Sequence, residues 1–156
     1  MALEPVVPRL ERLCRAVVEI GEPLVVGDTP QGRRRIIPIT GGRVEGPRLQ
    51  GVVLPGGADW QIVRADGGAL LEARYTIRVA DGSLIYVRNV GVRTGLSEAL
   101  ARLGRGEPVD PAAYYFRTTP RFETGAPSYA WLNDLVAVGS AVRRPDAVIL
   151  DFYTVT

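Results

Sequence analysis

Residues 55–91 read PGGADWQIVRADGGALLEARYTIRVADGSLIYVRNVG, and this stretch decides the fold class. Two Asp-Gly pairs, Asp66-Gly67 and Asp81-Gly82, separate runs that are rich in Ile, Val, Tyr and Trp. Asp-Gly between such runs is a strong hairpin signal, because glycine tolerates the positive φ that a type I′ turn requires. The stretch therefore predicts successive antiparallel β-hairpins.

Short runs of the same kind continue on both sides of this stretch. The opening segment has both helical and strand spacing, and the β-branched residues that precede Gly21 favour a strand. Further strands are predicted at residues 34–40, 49–54, 59–64, 69–79, 84–92, 115–118, 128–132, 135–143 and 147–155, with a turn at Gly41-Gly42 after the first of them.

Helical signals are confined to one region of the chain. Ser97 to Leu103 predicts a short helix, with Ser97 as its N-cap and Gly104 as its stop, and Pro111 opens one further helical turn. Many short strands joined by short connections favour an all-β, antiparallel up-and-down β-barrel over a Greek-key arrangement. A closed barrel of this size can enclose one small ligand.

Composition sets the broad class of the protein. The 156 residues, 46% of them hydrophobic, suit a single β-barrel domain over residues 1–156. No apolar run approaches the roughly 20 residues that span a bilayer, and the N-terminal residues do not resemble a secretory signal, so we expect a cytoplasmic protein with no membrane partner. Cys14, the single cysteine, agrees with a reducing compartment.

Two missing residue types restrict the chemistry. Without histidine the chain has no Ser-His-Asp or Cys-His nucleophile and no imidazole metal ligand, and without lysine it has no Schiff base. The remaining acid/base groups are Asp, Glu, Tyr and Cys14, and Cys14 suits a small core residue better than a nucleophile. No residues have metal-ligand spacing, and we expect no cofactor. The net charge of +2 is scattered, so nucleic acid is not an expected partner.

The register of the central hairpin decides which side chains face the barrel interior. If Asp81-Gly82 is a two-residue turn, Ala80 pairs with Ser83 and one face, the more apolar, carries Tyr75, Tyr86 and Arg88. We predict that this face points inward. The alternative interior would hold Glu72, Arg74 and Asn89, and a buried Arg-Glu pair is costly enough to suggest function.

Asp59 and Trp60 form the first candidate site. An Asp shielded from water against an indole would have a raised pKa and could act as a general acid or base. The alternative is structural: Asp59 caps a turn while Trp60 fills the core.

The second candidate site lies in the polar and aromatic segment from Phe116 to Asp134. Its residues could supply an anion clamp, an acid/base group, aromatic walls and an amide hydrogen bond: Arg117, Glu123, Tyr129, Trp131 and Asn133. The last three would share one face of a strand. The alternative is that the aromatic residues pack the barrel end while Asn133 and Glu123 satisfy turn backbone.

Several of these motifs together resemble the DUF3237 family, also called UPF0311. They are ITGG at 39–42, PGGADW at 55–60, ARY at 73–75, DG at 81–82, and FETG through WLN at 122–133, and the resemblance extends from about Leu24 to Val155. It implies a compact, calycin-like antiparallel β-barrel and makes a central pocket more plausible. The family name marks a domain without an established function, so the resemblance implies no reaction.

These observations give three hypotheses. The first is a barrel that binds an apolar or aromatic oxygenated metabolite and performs cofactor-free isomerisation, cyclisation, hydration or elimination. Asp59 or Glu123 would be the acid/base, Arg74 or Arg117 would hold an oxyanion or carboxylate, and the walls would be Trp60, Tyr75, Tyr129 and Trp131. The second is a non-catalytic carrier or sensor barrel. The third is a structural subunit that pairs into a homodimer through an exposed strand.

Overall fold

The computed structural model describes residues 1–156 as ten strands and three short helices. One α-helix, α1 (Ser97–Gly104), and two 3₁₀ helices, Pro111–Ala113 and Pro127–Asp134, lie between strands. None of the helices has the length and apolarity needed to cross a membrane. The strands are β1 (Leu10–Ile20), β2 (Leu24–Thr29), β3 (Gly32–Glu45), β4 (Gly51–Val53), β5 (Gly57–Val63), β6 (Ala69–Arg78), β7 (Leu84–Gly95), β8 (Tyr114–Glu123), β9 (Val136–Arg143) and β10 (Ala147–Val155).

The strands close into an antiparallel barrel because β3 is long enough to serve two sets of neighbours. Its first half pairs with β2 and β5, and its second half pairs with β1 and β4. Since β1 also pairs with β10, the sheet closes into a barrel of eight strand positions. The short strands β4 and β5 together fill one of these positions, and β2 pairs only with β3 outside the ring. Apart from this closure, neighbouring strands follow chain order, so the predicted up-and-down β-barrel is confirmed.

Both Asp-Gly turns are three-residue loops, whereas the predicted register assumed a two-residue turn at Asp81-Gly82. In the second loop Val79 N donates to Ser83 O at 3.0 Å, and Gly82 N donates to Val79 O at 2.9 Å. Gly82 has φ 88°, so the loop is a type I turn followed by a left-handed glycine. Arg64 to Gly68 repeats the pattern, with Gly67 at φ 83°. Both loops have the sequence Ala-Asp-Gly.

This extra loop residue shifts the predicted pairing by one position, and the predicted register is therefore wrong. Tyr75 pairs with Val87 and Arg74 pairs with Arg88. Because side chains alternate along a strand, Tyr75 and Asn89 point into the barrel together, while Arg88 points outward with Arg74. The inward placement of Tyr75 is confirmed, whereas that of Tyr86 and Arg88 is wrong.

Three other local predictions need correction. Gly41-Gly42 is not a turn, because β3 runs through it; Gly42 has φ 138°, and a Cβ there would overlap the carbonyl of Val17. The predicted strand at 128–132 is part of the 3₁₀ helix that Pro127 opens. The predicted helix at Ser97 is confirmed, although Leu96 occupies the N-cap position and no side chain caps the helix.

The half of the barrel that contains the 79–83 loop is filled by apolar side chains. Phe122 and Phe152 meet edge to face with ring centroids 6.0 Å apart, and Phe152 is fully buried. Leu132 of the second 3₁₀ helix is buried in the same core cluster. Such dense packing supplies most of the hydrophobic stabilisation of a small barrel. The opposite half of the interior is where the packing opens into a cavity.

Candidate functional site

A cavity of about 50 Å³ lies inside the opposite half of the barrel. Its walls are mainly aliphatic and aromatic side chains from β1, β3, β8 and β10, among them Val18, Ile37, Phe116 and Leu150. Its polar residues are Asp59, Gln61, Tyr75, Asn89, Arg93, Thr118 and Arg143. The arrangement is typical of a ligand site, in which a few polar groups fix the orientation of an apolar molecule.

Asp59 reaches this cavity because it alternates with Trp60 along β5. Only 8% of Asp59 is exposed, whereas Trp60 is on the outer surface with 38% exposed. The predicted contact between this carboxylate and the indole is therefore wrong. Burial in the barrel raises the pKa of Asp59, against the lowering effect of its hydrogen bonds and of nearby arginines.

Both oxygens of Asp59 accept hydrogen bonds. Oδ1 accepts from the backbone N–H of Glu72 at 2.9 Å, and Oδ2 accepts from Gln61 Nε2 at 3.2 Å. Gln61 is fully buried, and its Oε1 accepts from Arg35 Nε at 3.1 Å and from Arg35 Nη2 at 2.6 Å. Gln61 thus connects the carboxylate to a half-buried arginine and fixes the orientation of both.

Two further arginines line the cavity, Arg93 from β7 and Arg143 from the end of β9. Arg93 is 8% exposed and lies 5.5 Å from the centroid of the Phe116 ring. Burial, reinforced by the positive charges of Arg143 and Arg35, lowers the pKa of Arg93 to about 10. Burial likewise lowers the pKa of Arg143 and of Arg35. The cavity lining therefore holds two arginines and one acidic side chain.

Three buried side-chain oxygens near these groups have no hydrogen-bond partner: Tyr75 Oη, Asn89 Oδ1 and Thr118 Oγ1. All three residues line the cavity. Burial raises the pKa of Tyr75 well above its ordinary value, so its hydroxyl stays protonated and can donate a hydrogen bond. Buried polar atoms are almost always paired, so three together suggest groups that await a ligand or water.

Glu72, Arg74 and Arg88 form a cluster on the outer surface instead of lining the interior. Glu72 Oε1 accepts from Arg74 Nη2 at 2.8 Å and from Arg88 Nε at 3.0 Å. These two hydrogen bonds lower the pKa of Glu72. Ion pairs as exposed as these contribute little to stability.

The remaining predicted residues also lie away from the cavity. Glu123 and Arg117 are exposed on the outward face of β8, where Arg117 lies 5.3 Å from the centroid of the Tyr115 ring. Strict alternation along β8 puts Phe116 and Thr118 inside in their place. Neither Glu123 nor Arg117 therefore lines the cavity that contains Asp59.

Tyr129, Trp131 and Asn133 belong to the second 3₁₀ helix and do not share a strand face. The Trp131 ring carries the guanidinium of Arg48 at 3.8 Å from its centroid. Asn133 accepts from Thr124 N at 2.9 Å and donates to Thr124 O at 3.0 Å. These residues anchor the connection after β8 at the filled end of the barrel.

Of the predicted site residues, the structure brings Asp59, Tyr75 and Asn89 together in the cavity. The prediction missed Arg35, Gln61, Arg93, Thr118 and Arg143. Gln61 had a usable signal, because it is two residues from Asp59 on the same strand. Arg93 and Arg143 had none, since only closure of the barrel brings β7 and β9 to Asp59. No group of three Asp, Glu or Cys side chains could hold a metal ion.

The chain is similar to other barrels over nearly its whole length. A UPF0311 protein of Rhodopseudomonas palustris is 52% identical over 136 residues, which cover 87% of this chain and 89% of that protein. The crystal structure of a conserved protein of unknown function from Rhodopseudomonas palustris matches with a TM-score of 0.92 at 46% identity, covering 99% of this chain and 100% of that one. A β-barrel-like protein from Acinetobacter baumannii matches with a TM-score of 0.88 at 46% identity and the same coverage.

A more distant relative has a named activity. The hydroalkoxylation enzyme of Penicillium herquei is 24% identical over 151 residues, or 97% of this chain and 86% of that protein. The crystal structure of an enzyme from Penicillium herquei shares the fold with a TM-score of 0.73 at 23% identity, each chain being covered in full. The sequence profile described as "Protein of unknown function (DUF3237)" matches residues 8–155. With this match and the 52% identity to a UPF0311 protein, the chain belongs to the DUF3237 family.

Proposed function

We propose that the barrel binds a small apolar, oxygenated molecule in its cavity and performs cofactor-free acid/base chemistry on it with Asp59. One observation carries this proposal: a buried carboxyl group with a raised pKa lines a mostly apolar cavity. A carboxyl group whose pKa moves towards neutrality is more effective at exchanging protons with a bound molecule.

The arginines supply the second part of the chemistry. Arg93 is buried beside the cavity and has donors to offer to an oxygen on which negative charge develops. Preorganised donors in a site with little water stabilise such an oxyanion more than water does. Asp59 and Arg93 together therefore suit reactions in which a proton moves at a carbon conjugated to a carbonyl group.

The name of the Penicillium herquei relative describes addition of an O–H group across a carbon–carbon double bond. We propose a reaction of this class here. Asp59 takes the hydroxyl proton while the oxygen bonds to the far carbon of an enone, and the π electrons move onto the carbonyl oxygen at Arg93. Asp59 then returns the proton to the carbon next to the carbonyl group. Every atom is retained and no redox partner is needed.

The test uses but-3-en-2-one and water, a small enone and a small O–H donor, which combine to give 4-hydroxybutan-2-one. Loss of the enone absorbance would follow the addition. We expect the wild-type protein to accelerate it, and Asp59→Asn to lose the acceleration. The exposed Glu123→Gln is the matched control and should behave as wild type. Equal rates in wild type and Asp59→Asn would overturn the catalytic proposal.

A carrier or sensor barrel is the second candidate. It is favoured by the two hydrogen bonds that already hold Asp59 from Glu72 N and Gln61, as expected of a structural carboxylate. Native mass spectrometry of the protein with small molecules retained through purification separates the candidates. A carrier retains one compound unchanged in both wild type and Asp59→Asn, whereas an enzyme with Asp59→Asn retains a substrate that the wild type converts.

A further inference from the structure

The charged groups around the cavity do not balance one another. Two arginines, Arg93 and Arg143, line the cavity with one carboxylate, that of Asp59, and a third, Arg35, is joined to that carboxylate through Gln61. Several arginines elsewhere in the chain form ion pairs with acidic side chains, such as Arg15 with Asp151 at 2.8 Å and Arg105 with Glu107 at 2.6 Å. None of these three arginines forms an ion pair with a carboxylate; Arg35 is held by the neutral amide of Gln61, and Arg143 donates to the backbone carbonyls of Arg144 and Pro145.

Arg93 is the most exceptional of the three. It is buried, and its guanidinium contacts the Phe116 ring and makes no side-chain hydrogen bond. A buried charge without a partner is unfavourable, and proteins normally pair it or neutralise it. Arginine cannot readily lose its proton, and the nearby Asp59 already accepts from Glu72 N and Gln61, so a bound anion would compensate the charge of Arg93 directly.

We propose that the natural ligand of this cavity is an anion, with a carboxylate or an equally compact oxyanion at Arg93 and Arg143 and an apolar body among the aliphatic walls. This inference rests on the proposed function and names the charge class of its ligand. Arg143 also lines a separate groove of about 230 Å³ between the end of α1 and the β9–β10 loop, so it stands between the cavity and the outer surface.

The three unpaired oxygens define the rest of the ligand. Tyr75 and Thr118 present hydroxyl groups to the cavity, and Asn89 presents an amide. Hydroxyl groups both donate and accept, so they suit a hydroxyl or carbonyl oxygen on the ligand at a second position. The ligand is therefore a small hydroxy or keto acid, or its phenolate or enolate equivalent, and not a neutral hydrocarbon or an amine.

Size limits the ligand as well. The cavity is smaller than the void of about 150 Å³ that holds benzene in a protein core. Short hydroxy and keto acids are therefore the right probes, each paired with the amide of the same shape: glycolate, lactate and pyruvate. Isothermal titration calorimetry and thermal melts would be measured with each acid and its amide.

We expect at least one carboxylate to bind ten-fold or more tightly than its amide and to raise Tm, and Arg93→Met to abolish that preference. Arg121→Met removes an exposed arginine from β8 and should leave the preference intact. If no carboxylate binds more tightly than its amide, or if Arg93→Met binds the carboxylate as tightly as wild type, the anion proposal is overturned. Both binding measurements are independent of whether Asp59→Asn loses activity. The anion proposal and the catalytic proposal can therefore be overturned separately.

Discussion

Asp59 and Gln61 lie two residues apart on β5 and point into the barrel together, joined by a hydrogen bond of 3.2 Å from Gln61 Nε2 to Asp59 Oδ2. The same amide accepts two hydrogen bonds from Arg35 through its oxygen. The carboxylate of Asp59 and the guanidinium of Arg35 are thus linked by hydrogen bonds through one buried side chain. Gln61 therefore holds both charged groups in place.

The raised pKa of Asp59 predicts a specific pH dependence of stability. A group whose pKa is higher in the folded state binds its proton more tightly there, so folding is favoured below its ordinary pKa of about 4 and loses this contribution as pH rises through the folded value. The Tm of Asp59→Asn minus that of wild type should therefore become more positive from pH 4 to pH 7. Thermal melts across this range would measure it, with Asp134→Asn, at an exposed position, as control. A difference that stays flat would contradict the burial effect.

Arg93 should destabilise the ligand-free protein. Lowering its pKa from 12.5 to about 10 corresponds to about 3 kcal/mol, which its contact with Phe116 offsets in part. Replacing a buried charge by an apolar residue of similar volume is often stabilising by about 1–4 kcal/mol. Arg93→Met should therefore raise the free energy of unfolding in urea, while Arg93→Lys, which keeps the charge, should not. Equal or lower stability of Arg93→Met would show that Asp59 already compensates Arg93.

Replacing Gly82 should destabilise the protein because of its backbone conformation alone. Its φ of 88° is unfavourable for any side chain, although a Cβ there would meet no atom within 4 Å. Gly82→Ala should cost about 1–2 kcal/mol of stability. Gly125→Ala is the matched control, because Gly125 also has open space around its Cα but no positive φ, and it should change stability by less than about 0.5 kcal/mol. Urea unfolding of both variants checks the difference; similar losses in the two variants would contradict the backbone explanation.

Cys14 should report on opening of the filled half of the barrel. It is 1% exposed, and burial raises the pKa of its thiol to about 12. Because the thiolate is the reactive form, 5,5′-dithiobis(2-nitrobenzoate) should leave the native protein unmodified and react fully in denaturing urea. The rate of modification in native buffer should follow the population of the open state. Rapid stoichiometric reaction in native buffer would show that this end of the barrel opens readily.

The barrel could be predicted from the sequence because its signals are local. Short β-rich runs and Asp-Gly turns indicate hairpins one at a time, and a barrel follows from their number. The register could not be predicted. The assumed two-residue turn and the observed three-residue loop between Val79 and Ser83 pair the two strands in registers that differ by one residue. That difference moves Arg88 from the inside to the outside.

The candidate site was predictable only in part for the same physical reason. Asp59 could be selected as a candidate because a carboxylate is unusual in a β-strand, here beside alanine and tryptophan. Arg93 and Arg143 are two of 19 arginines, and nothing in their neighbours distinguishes them from exposed ones. These two arginines reach the cavity of Asp59 only because strands distant in sequence pack together in the closed barrel. Local sequence patterns do not show which distant strands will pack together.

The division of the interior into a filled half and a hollow half has a consequence for how such barrels change over time. Phe122, Phe152 and Leu132 pack in one half, whereas Val18 and Leu150 belong both to the buried core cluster and to the cavity wall. A substitution at these wall positions therefore changes the shape of the cavity and the packing of the core together. A barrel of this kind can change its ligand only through substitutions that its core tolerates.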